Sequence, residues 1–341
     1  MQTFKVQIED LIGSVGDDDL ISSSIQDVGA EIISIAPLGK LKNVTKNIAI
    51  GGSGLNITAQ KIIAVDKGDY TAREVPATDK ARFKSATSIY ASSDTSPVFY
   101  VEGQNIFVIG AAATGETSGT LHSVPIVPTS DGDTAIIHSS TAMEHFPKEA
   151  IRLLIVGGAM RCLQRLMSDI SLSDITLPVN PSPPSLSSNS ISFSTTAPVY
   201  TAPLVAPSFS TVDTYIATDE DVELAGIKIQ EINAQLSEYQ ANIQNQLNIF
   251  NDANVEYQAE LQRAIENARL SSQDDAQLLQ KYQLEVQDYQ NLVNAEVQKQ
   301  QSDLQKDSAD FQFKTNQYGL LSAEYMKGLQ LFMGGSTPQG V

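Results

Sequence analysis

The longest regular pattern of apolar positions lies between Ile227 and Tyr318, a stretch that contains neither glycine nor proline. Apolar residues recur there every three or four positions, which predicts one face of a long amphipathic α-helix. We call twelve of them the seam: Ile232, Leu236, Tyr239, Ile243, Leu247, Phe250, Tyr257, Leu261, Tyr282, Val286, Tyr289 and Val293. A helix of this length cannot bury such a face alone, so the pattern predicts packing against another helix, in the same chain or in another copy.

Two arrangements of this region, residues 219–333, remain open. Segment 239–244 resembles segment 282–287, and between them the face loses its regularity while Ser271–Asp275 resemble a fresh helix start. The region is therefore either one rod of about 170 Å or a helical hairpin with arms of about 70 Å that turns near Ser271–Asp274. The hairpin is slightly favoured. Asn254 interrupts the apolar face, where a polar side chain can fix the alignment of two helices.

Two shorter helical patterns occupy the first 36 residues. The first has an apolar stripe of Phe4, Ile8, Leu11 and Ile12. Thr3 precedes it as a cap, and Gly13 follows it at the helix end. The second begins at Asp17–Asp19, carries Ile25, Val28 and Ile32 on one face, and is stopped by Pro37. The three aspartates can also form a metal loop, but further acidic ligands at calcium-loop spacing do not follow, so we interpret them as a helix cap.

From about Val44 to Pro128 the period of the apolar residues changes to two, which predicts a β insert within residues 43–140. The predicted strands are 56–65, 88–91, 98–101 and 105–109, and turn-forming segments such as Gly51–Gly54, Lys67–Asp69 and Glu102–Gln104 accompany them. The last two strands flank Glu102-Gly103-Gln104 and predict a hairpin. We expect a small antiparallel sandwich or open barrel.

A third helix is predicted from Phe146-Pro147 to about Asp169. One face of this helix includes Ile151, Leu154, Ile155 and Gly158. Gly157 and Gly158 each lower intrinsic helix stability by about 1 kcal/mol relative to alanine, so we expect another helix to pack closely there. Residues 1–170 therefore predict an α+β domain: two helices, a β insert and a returning helix.

Residues 171–218 differ sharply in composition. They contain seven of the fourteen prolines, many serines and threonines, and only two charged residues, Asp174 and Asp213. This composition predicts an extended linker, either a mobile tether or a segment laid along another subunit. Residues 334–341 are expected to form a flexible tail.

The formal net charge is −18 at pH 7. Residues 1–170 carry 14 basic and 19 acidic side chains, for a charge of −5, and residues 171–341 carry 8 and 21, for −13. The sequence has no run of lysine and arginine, which disfavours tight binding of phosphate groups. An acidic balance suits solvated helices, or a channel through which DNA slides without sticking.

Few residues are candidates for chemistry. The single cysteine, Cys162, lies in an apolar helix and is expected to be a buried small side chain. His122, His138 and His145 lack metal-ligand spacing, and the glycine-rich segment 51–54 lacks the lysine of a phosphate-binding loop. We therefore predict no catalytic, cofactor-binding or metal-binding residues, and no enzyme.

The sequence also indicates where the chain is made. The N-terminus has neither the basic nor the apolar region of a secretory signal, and the longest apolar stretch, Ile151–Met160, is too short to span a bilayer. We expect cytoplasmic synthesis without membrane insertion.

The order of elements over residues 1–170 resembles that of head-to-tail connector proteins of tailed phages, the adaptors similar to tail tubular protein A. The matching elements are the helix pair Ile8–Ile12 and Asp18–Ile35, the β insert, and the helix start Phe146–Arg152. The helix opening Thr218–Ala225 and the Tyr-Gln and Glu-Val-Gln pattern resemble virion structural proteins of marine and cyanobacterial phages. The long helical extension departs from the compact adaptors.

This resemblance implies a virion protein that forms a ring, typically of twelve copies, around the DNA channel. Helices within residues 1–36 and 142–169 would build the ring. The implied partners are further copies of the chain, the portal protein and a tail, nozzle or fibre protein, with DNA contacted only in passage and without sequence-specific binding. No cofactor and no membrane insertion are implied. The location would be the head–tail junction, after synthesis in the host bacterial cytoplasm.

An alternative function stays open at this point. A trimeric coiled-coil tail fibre, whisker or adhesin would use the long helix as a stalk and the N-terminal domain as a binding head.

Overall fold

The computed structural model describes residues 2–131, 133–172, 174–187, 191–194, 196–203, 206–209 and 222–334, without the side chains of Ala113 and of residues 222–226. The described residues divide into two compact units. The first lies within Met1–Leu163 and Gln317–Val341, and the second within Gln164–Asn316. The predicted helix opening Thr218–Asp221 and most of the predicted tail 334–341 lie outside the described residues.

The chain is α+β, as predicted. Its helices are α1 (Phe4–Ile12), α2 (Asp18–Ile35), α3 (Leu38–Leu41), α4 (Lys80–Lys84), α5 (Ile151–Ser168), α6 (Val222–Ser271) and α7 (Gln273–Phe332). Its strands are β1 (Lys46–Ile50), β2 (Leu55–Asn56), β3 (Gln60–Lys67), β4 (Tyr70–Thr71), β5 (Arg73–Glu74), β6 (Val98–Glu102), β7 (Asn105–Ile109), β8 (Glu116–Thr117) and β9 (Gly119–Pro125). Short 3-10 turns lie at Lys42–Val44, Ala77–Asp79, Ala112–Thr114 and Lys148–Ala150.

The first two helices begin where their capping residues predict. The Thr3 hydroxyl accepts a hydrogen bond from the Val6 amide, and α1 ends at Gly13, whose φ is 85°. The Asp17 carboxylate accepts from the amides of Asp19 and Leu20, each at 3.0 Å. These bonds satisfy amides that a helix start leaves without a partner, so capping accounts for the aspartate run.

The helices of the first unit pack closely around the glycines of α5. A Cβ atom added to Gly158 would lie 3.0 Å from Ile25 Cγ2 and 3.2 Å from Ile8 Cδ1. At the other end of the chain, a Cβ on Gly328 would lie 2.4 Å from Leu153 Cδ2. The last turns of α7 therefore pack on α5 together with α1 and α2, and close packing is the reason for glycine inside α5.

The β insert consists of two sheets. The first has the strand order β1-β9-β3-β4, and the second has the order β2-β7-β6-β5 with β8 paired to β7. They share a buried apolar core made of Ile50, Val65, Ala72, Phe99, Ile106, Val108 and Leu121. The pairs are antiparallel except β5 with β6, which is parallel. The chain between those two strands crosses over through α4, and parallel neighbours require such a crossover.

The strand predictions were right in part. The hairpin of β6 and β7 is confirmed, with Glu102 opposite Asn105 and Gly103 at φ 62°. The predicted strand 56–65 is divided between β2 and β3. The predicted strand at Ser88–Ala91 is wrong: the Ala91 amide donates to the Ser88 carbonyl and the Tyr90 amide to the Ser88 hydroxyl. Such local serine bonds stabilise a turn in place of a ladder.

One lysine joins the first sheet to the helices. Lys61 in β3 donates from Nζ to the carbonyl oxygens of Ile33 and Ser34, at 2.7 and 2.8 Å. These carbonyls lie at the C-terminal end of α2, where a positive charge is favourable. Burial lowers the pKa of Lys61.

The long helices of the second unit fit the predicted helical hairpin. The Tyr257 and Tyr282 hydroxyls lie 3.1 Å apart, and Gln301 Nε2 donates to Gln244 Oε1 at 3.1 Å. The sequence separation of contacting residues grows from 25 to 57 between these two pairs, as expected for antiparallel helices joined by a turn. At the turn the Ser272 hydroxyl accepts from the Asp275 amide, so a serine cap starts α7 without a glycine.

The described residues of the proline-rich stretch 171–218 form no helix or strand and pack against this hairpin. Ala197, Tyr200 and Phe209 are buried. The Tyr257 hydroxyl donates to the Ser194 carbonyl at 3.0 Å, and the Asp275 carboxylate accepts from the amide and the hydroxyl of Ser187. These segments therefore contact the long helices of their own chain.

Candidate functional site

The seam lies inside the chain. All twelve seam residues are at most 8% exposed. Residues of both helices meet across it: the ring of Phe250 lies 6.0 Å from that of Tyr289 and 6.2 Å from that of Tyr200. The apolar face that predicted a partner helix is thus covered by α7 and by the proline-rich stretch of the same chain.

The predicted ring-helix residues also pack within the chain. Ile25, Val28, Ile32, Leu154, Ile155 and Gly158 are buried, and Ile151 is half-buried. Ion pairs border this core: Arg161 lies 3.2 Å from Asp27 and 3.4 Å from Glu31. Helices α2 and α5 therefore form one packed layer within the chain, joined at its border by these ion pairs.

A cleft of about 320 Å³ opens beside this layer. Its lining includes the apolar side chains of Leu153 and Phe332 and the charged residues of two ion pairs. Arg152 Nε lies 2.8 Å from Glu324 Oε1, and Lys40 Nζ pairs with Glu149. Since each of these four charges already has a partner of opposite sign, the cleft is suited to an apolar side chain more than to an ion.

A buried tyrosine organises charges on the second sheet. The Tyr100 hydroxyl donates to Glu116 Oε1 at 2.6 Å, Lys84 pairs with the same carboxylate, and the Phe107 ring stacks on Tyr100 at 5.2 Å. The hydrogen bond from Lys84, followed by that from Tyr100, lowers the pKa of Glu116 to about 2. Burial, and then the bond to Glu116, raises the pKa of Tyr100. The group holds α4 against the sheet.

The histidines lie in three separate places. His122 bonds through its two ring nitrogens to Asn47 and Asp66, at 2.7 and 2.8 Å, on the first sheet. His138 Nε2 lies 3.5 Å from Asp18, near the start of α2. These contacts tie strands and loops together within the first unit.

His145 belongs to a cluster that the sequence pattern did not indicate. Possible ligand atoms of Asp133, Glu144 and His145 lie within 4.8 Å of one another. Lys46 Nζ pairs with the Asp133 carboxylate, and His145 Nδ1 lies 3.1 Å from the Val44 carbonyl. Asp133 is eleven residues from Glu144, and both lie between β9 and α5, so helical or strand spacing did not indicate the cluster. Lys46 of β1 already neutralises part of its negative charge.

Cys162 is buried in α5. Burial raises the pKa of its thiol to about 11, and the sulfur lies 3.8 Å from the Ser24 hydroxyl. The protonated thiol therefore packs as a small side chain in the helix layer.

Comparison with protein-family models, with curated proteins and with solved structures gave no match. Among the residues that the structure describes, none of the helices has the length and the hydropathy needed to cross a bilayer.

Proposed function

We propose that this chain is a structural protein of a tailed-phage virion, and that its copies form a ring that joins the portal to the tail. One observation carries the proposal. In the first unit α5 returns from the β insert onto α1 and α2, with Gly157 and Gly158 at the contact. This packing joins the elements whose order along the chain resembles that of head-to-tail adaptors.

The first unit has the properties that a ring subunit needs. Its helices pack at glycine-mediated distances, and Lys61 ties the first sheet to the end of α2. A module stiffened in this way presents fixed surfaces to its neighbours, which a closed ring requires. The acidic balance of the chain supports passage of DNA, because sites for tight phosphate binding need clustered cations.

The hairpin favours the adaptor over the trimeric fibre. A trimeric stalk would bury the seam between copies. Here the seam residues, such as Ile243 and Val293, are fully buried by their own chain. We therefore infer that the hairpin is an appendage of the ring module, on the outside of the neck or projecting from it.

The test is to image the purified full-length chain by negative-stain electron microscopy and to weigh its assemblies by mass photometry. A closed ring, with twelve copies as the expected number, supports the proposal. A three-chain rod supports the fibre alternative instead. A chain that stays monomeric at micromolar concentration, and is missing from purified virions by mass spectrometry, overturns both.

Immunogold labelling of virions supplies the location. Antibodies against the full-length chain should label the head–tail junction. Label at the distal tips of fibres would contradict the adaptor assignment even if the purified chain forms oligomers.

A further inference from the structure

A basic and apolar patch lies at one edge of the second sheet. The Arg73 guanidinium lies 5.8 Å from the Phe83 ring, and the Phe83 ring meets the Tyr90 ring edge-on at 6.5 Å. The neighbouring Ile89 is 91% exposed and Tyr90 is 54% exposed. Arg82, which precedes Phe83 in α4, is exposed. We call Arg73, Arg82, Ile89 and Tyr90 the finger patch.

The finger patch keeps its positive charge. The two lysines of α4, Lys80 and Lys84, are not part of it, because they are paired with Glu102 and Glu116. Among the described residues, the ion pair of Arg82 is a long contact of 3.8 Å to Asp79, and both side chains are exposed. Such pairs in water contribute little, so the guanidinium groups remain available to another molecule.

An acidic ridge runs along α6. Asp252, Glu256 and Glu260 are exposed and follow one another at intervals of four residues, so they lie on one face about 6 Å apart along the axis. Ile249, 54% exposed, precedes them by one turn on the same face. Within the described part of the chain no cation forms an ion pair with these three carboxylates. Like charges at this spacing repel each other and destabilise a helix.

We propose that the finger patch of one copy docks on the acidic ridge of a second copy. The two surfaces are opposite in sign: the patch carries two arginines, and the ridge carries three carboxylates with which none of the described cations pairs. They also resemble each other in composition, since the patch includes exposed Ile89 and the ridge is preceded by exposed Ile249. Charge complementarity of this kind selects the partner and its orientation.

The contact joins two different surfaces of identical chains. An interface of this type is heterologous, so a pair of copies still has one free patch and one free ridge. Repetition of such a contact gives a closed ring when the rotation closes, and a filament when it does not. The inference rests on the proposed ring, and it names the surfaces that would build or reinforce it.

A charge-swap experiment tests the contact. Protein P carries Arg73→Glu with Arg82→Glu, and protein R carries Asp252→Lys with Glu256→Lys. In assemblies of P alone or of R alone, the patch and the ridge would carry charges of the same sign. The concentration for half-assembly, measured by mass photometry, should therefore rise about tenfold or more. Mixing P with R should restore assembly, because the reversed patch of P meets the reversed ridge of R and the native surfaces meet each other.

Matched controls keep the charge change and move it elsewhere. Lys299→Glu with Lys306→Glu changes the charge of the chain as P does, and Glu285→Lys with Asp288→Lys changes it as R does, at exposed positions of α7. Both controls should assemble like the parent chain. Thermal melting by circular dichroism is recorded for every variant, so that loss of assembly is read only from folded protein.

The outcomes separate this inference from the proposed function. If the parent chain forms rings and P and R assemble equally well, the ring stands and the patch–ridge contact is wrong. If P and R each fail and their mixture also fails, both surfaces matter for assembly but do not contact each other, and the inference is overturned. A monomeric parent chain overturns the ring and the inference together.

Discussion

Gly157 in α5 and Val28 in α2 are in direct contact: a Cβ atom added to Gly157 would lie 2.6 Å from Val28 Cγ1. The same added atom would lie 3.0 Å from Tyr325 Cε2 at the end of α7. A residue that weakens its own helix thus lets three helices of the first unit approach one another.

We expect Gly157→Ala to destabilise the chain, although alanine is the better helix former. The new methyl group must displace Val28, and overpacking of this kind costs about 1–3 kcal/mol of unfolding free energy. Urea denaturation followed by circular dichroism measures it. Gly319→Ala is the control, because a Cβ there meets nothing within 4 Å, and it should stabilise by about 0.5–1 kcal/mol. A stabilised Gly157→Ala would contradict the packing of α5 on α2.

Asn254 is fully buried on the seam face, and its Oδ1 has no hydrogen-bond partner among the described residues. Its Nδ2 donates to the Phe250 carbonyl at 3.3 Å. A buried polar atom without a partner costs about 1–3 kcal/mol, so Asn254→Leu should raise the unfolding free energy by an amount of that order.

The neighbouring Asn251 is the matched control. Its Oδ1 accepts from Gln290 Nε2 of the opposite helix at 3.1 Å. Asn251→Leu removes that bond and should lower the unfolding free energy by about 0.5–1.5 kcal/mol. An unfolding free energy that rises for Asn251→Leu as well would show that its bond across the hairpin does not stabilise the fold.

Much of the helical architecture could be predicted from the sequence, because local signals define it. Thr3 and Asp17 accept hydrogen bonds from amides two or three residues later, so each helix start depends on local sequence. In the β insert, the positive φ of Gly103 likewise defines the turn between β6 and β7. The seam was also visible, since helical spacing is a local property. The hairpin could only be favoured over the rod, because Ser272 ends one helix and caps the next without a glycine or proline.

The remaining features depend on partners distant in sequence. Gly157 and Gly158 predicted close packing, but that a helix 170 residues later brings Gly328 against Leu153 follows only from the fold. Lys61 resembles any strand lysine until the end of α2 is placed beside it. The finger patch was missed because Ser88–Ala91 has the composition of a strand, while two serine-centred bonds make it a turn that exposes Ile89.

Glu116 should make the stability of the first unit depend on pH. Its pKa lies near 2 in the folded chain, below the ordinary 4.5, so the ionised carboxylate stabilises the fold above about pH 4.5. That contribution is lost as the pH falls from about 4.5 towards about 2. Urea midpoints measured across this range should fall less steeply for Glu116→Gln than for the parent chain.

Lys84→Met tests whether Lys84 causes the pH dependence of stability while the Glu116 carboxylate is kept. Lys84 is the largest contributor to the low pKa of Glu116, so its removal should move the loss of stability to higher pH. An unchanged profile in both Glu116→Gln and Lys84→Met would mean that the pair does not contribute to acid stability.

Cys162 should be unreactive until the first unit unfolds. Its side chain is fully buried, and its raised pKa leaves little thiolate at neutral pH, where the thiolate is the reactive form. We expect labelling by a disulfide reagent to be at least about a hundredfold slower than for an exposed cysteine. The reference is Cys162→Ala with Gly319→Cys, which moves the single thiol to an exposed position of α7. Labelling of Cys162 should accelerate at the urea concentration where circular dichroism reports unfolding, and rapid labelling in native buffer would contradict the packing of α5 against Ser24.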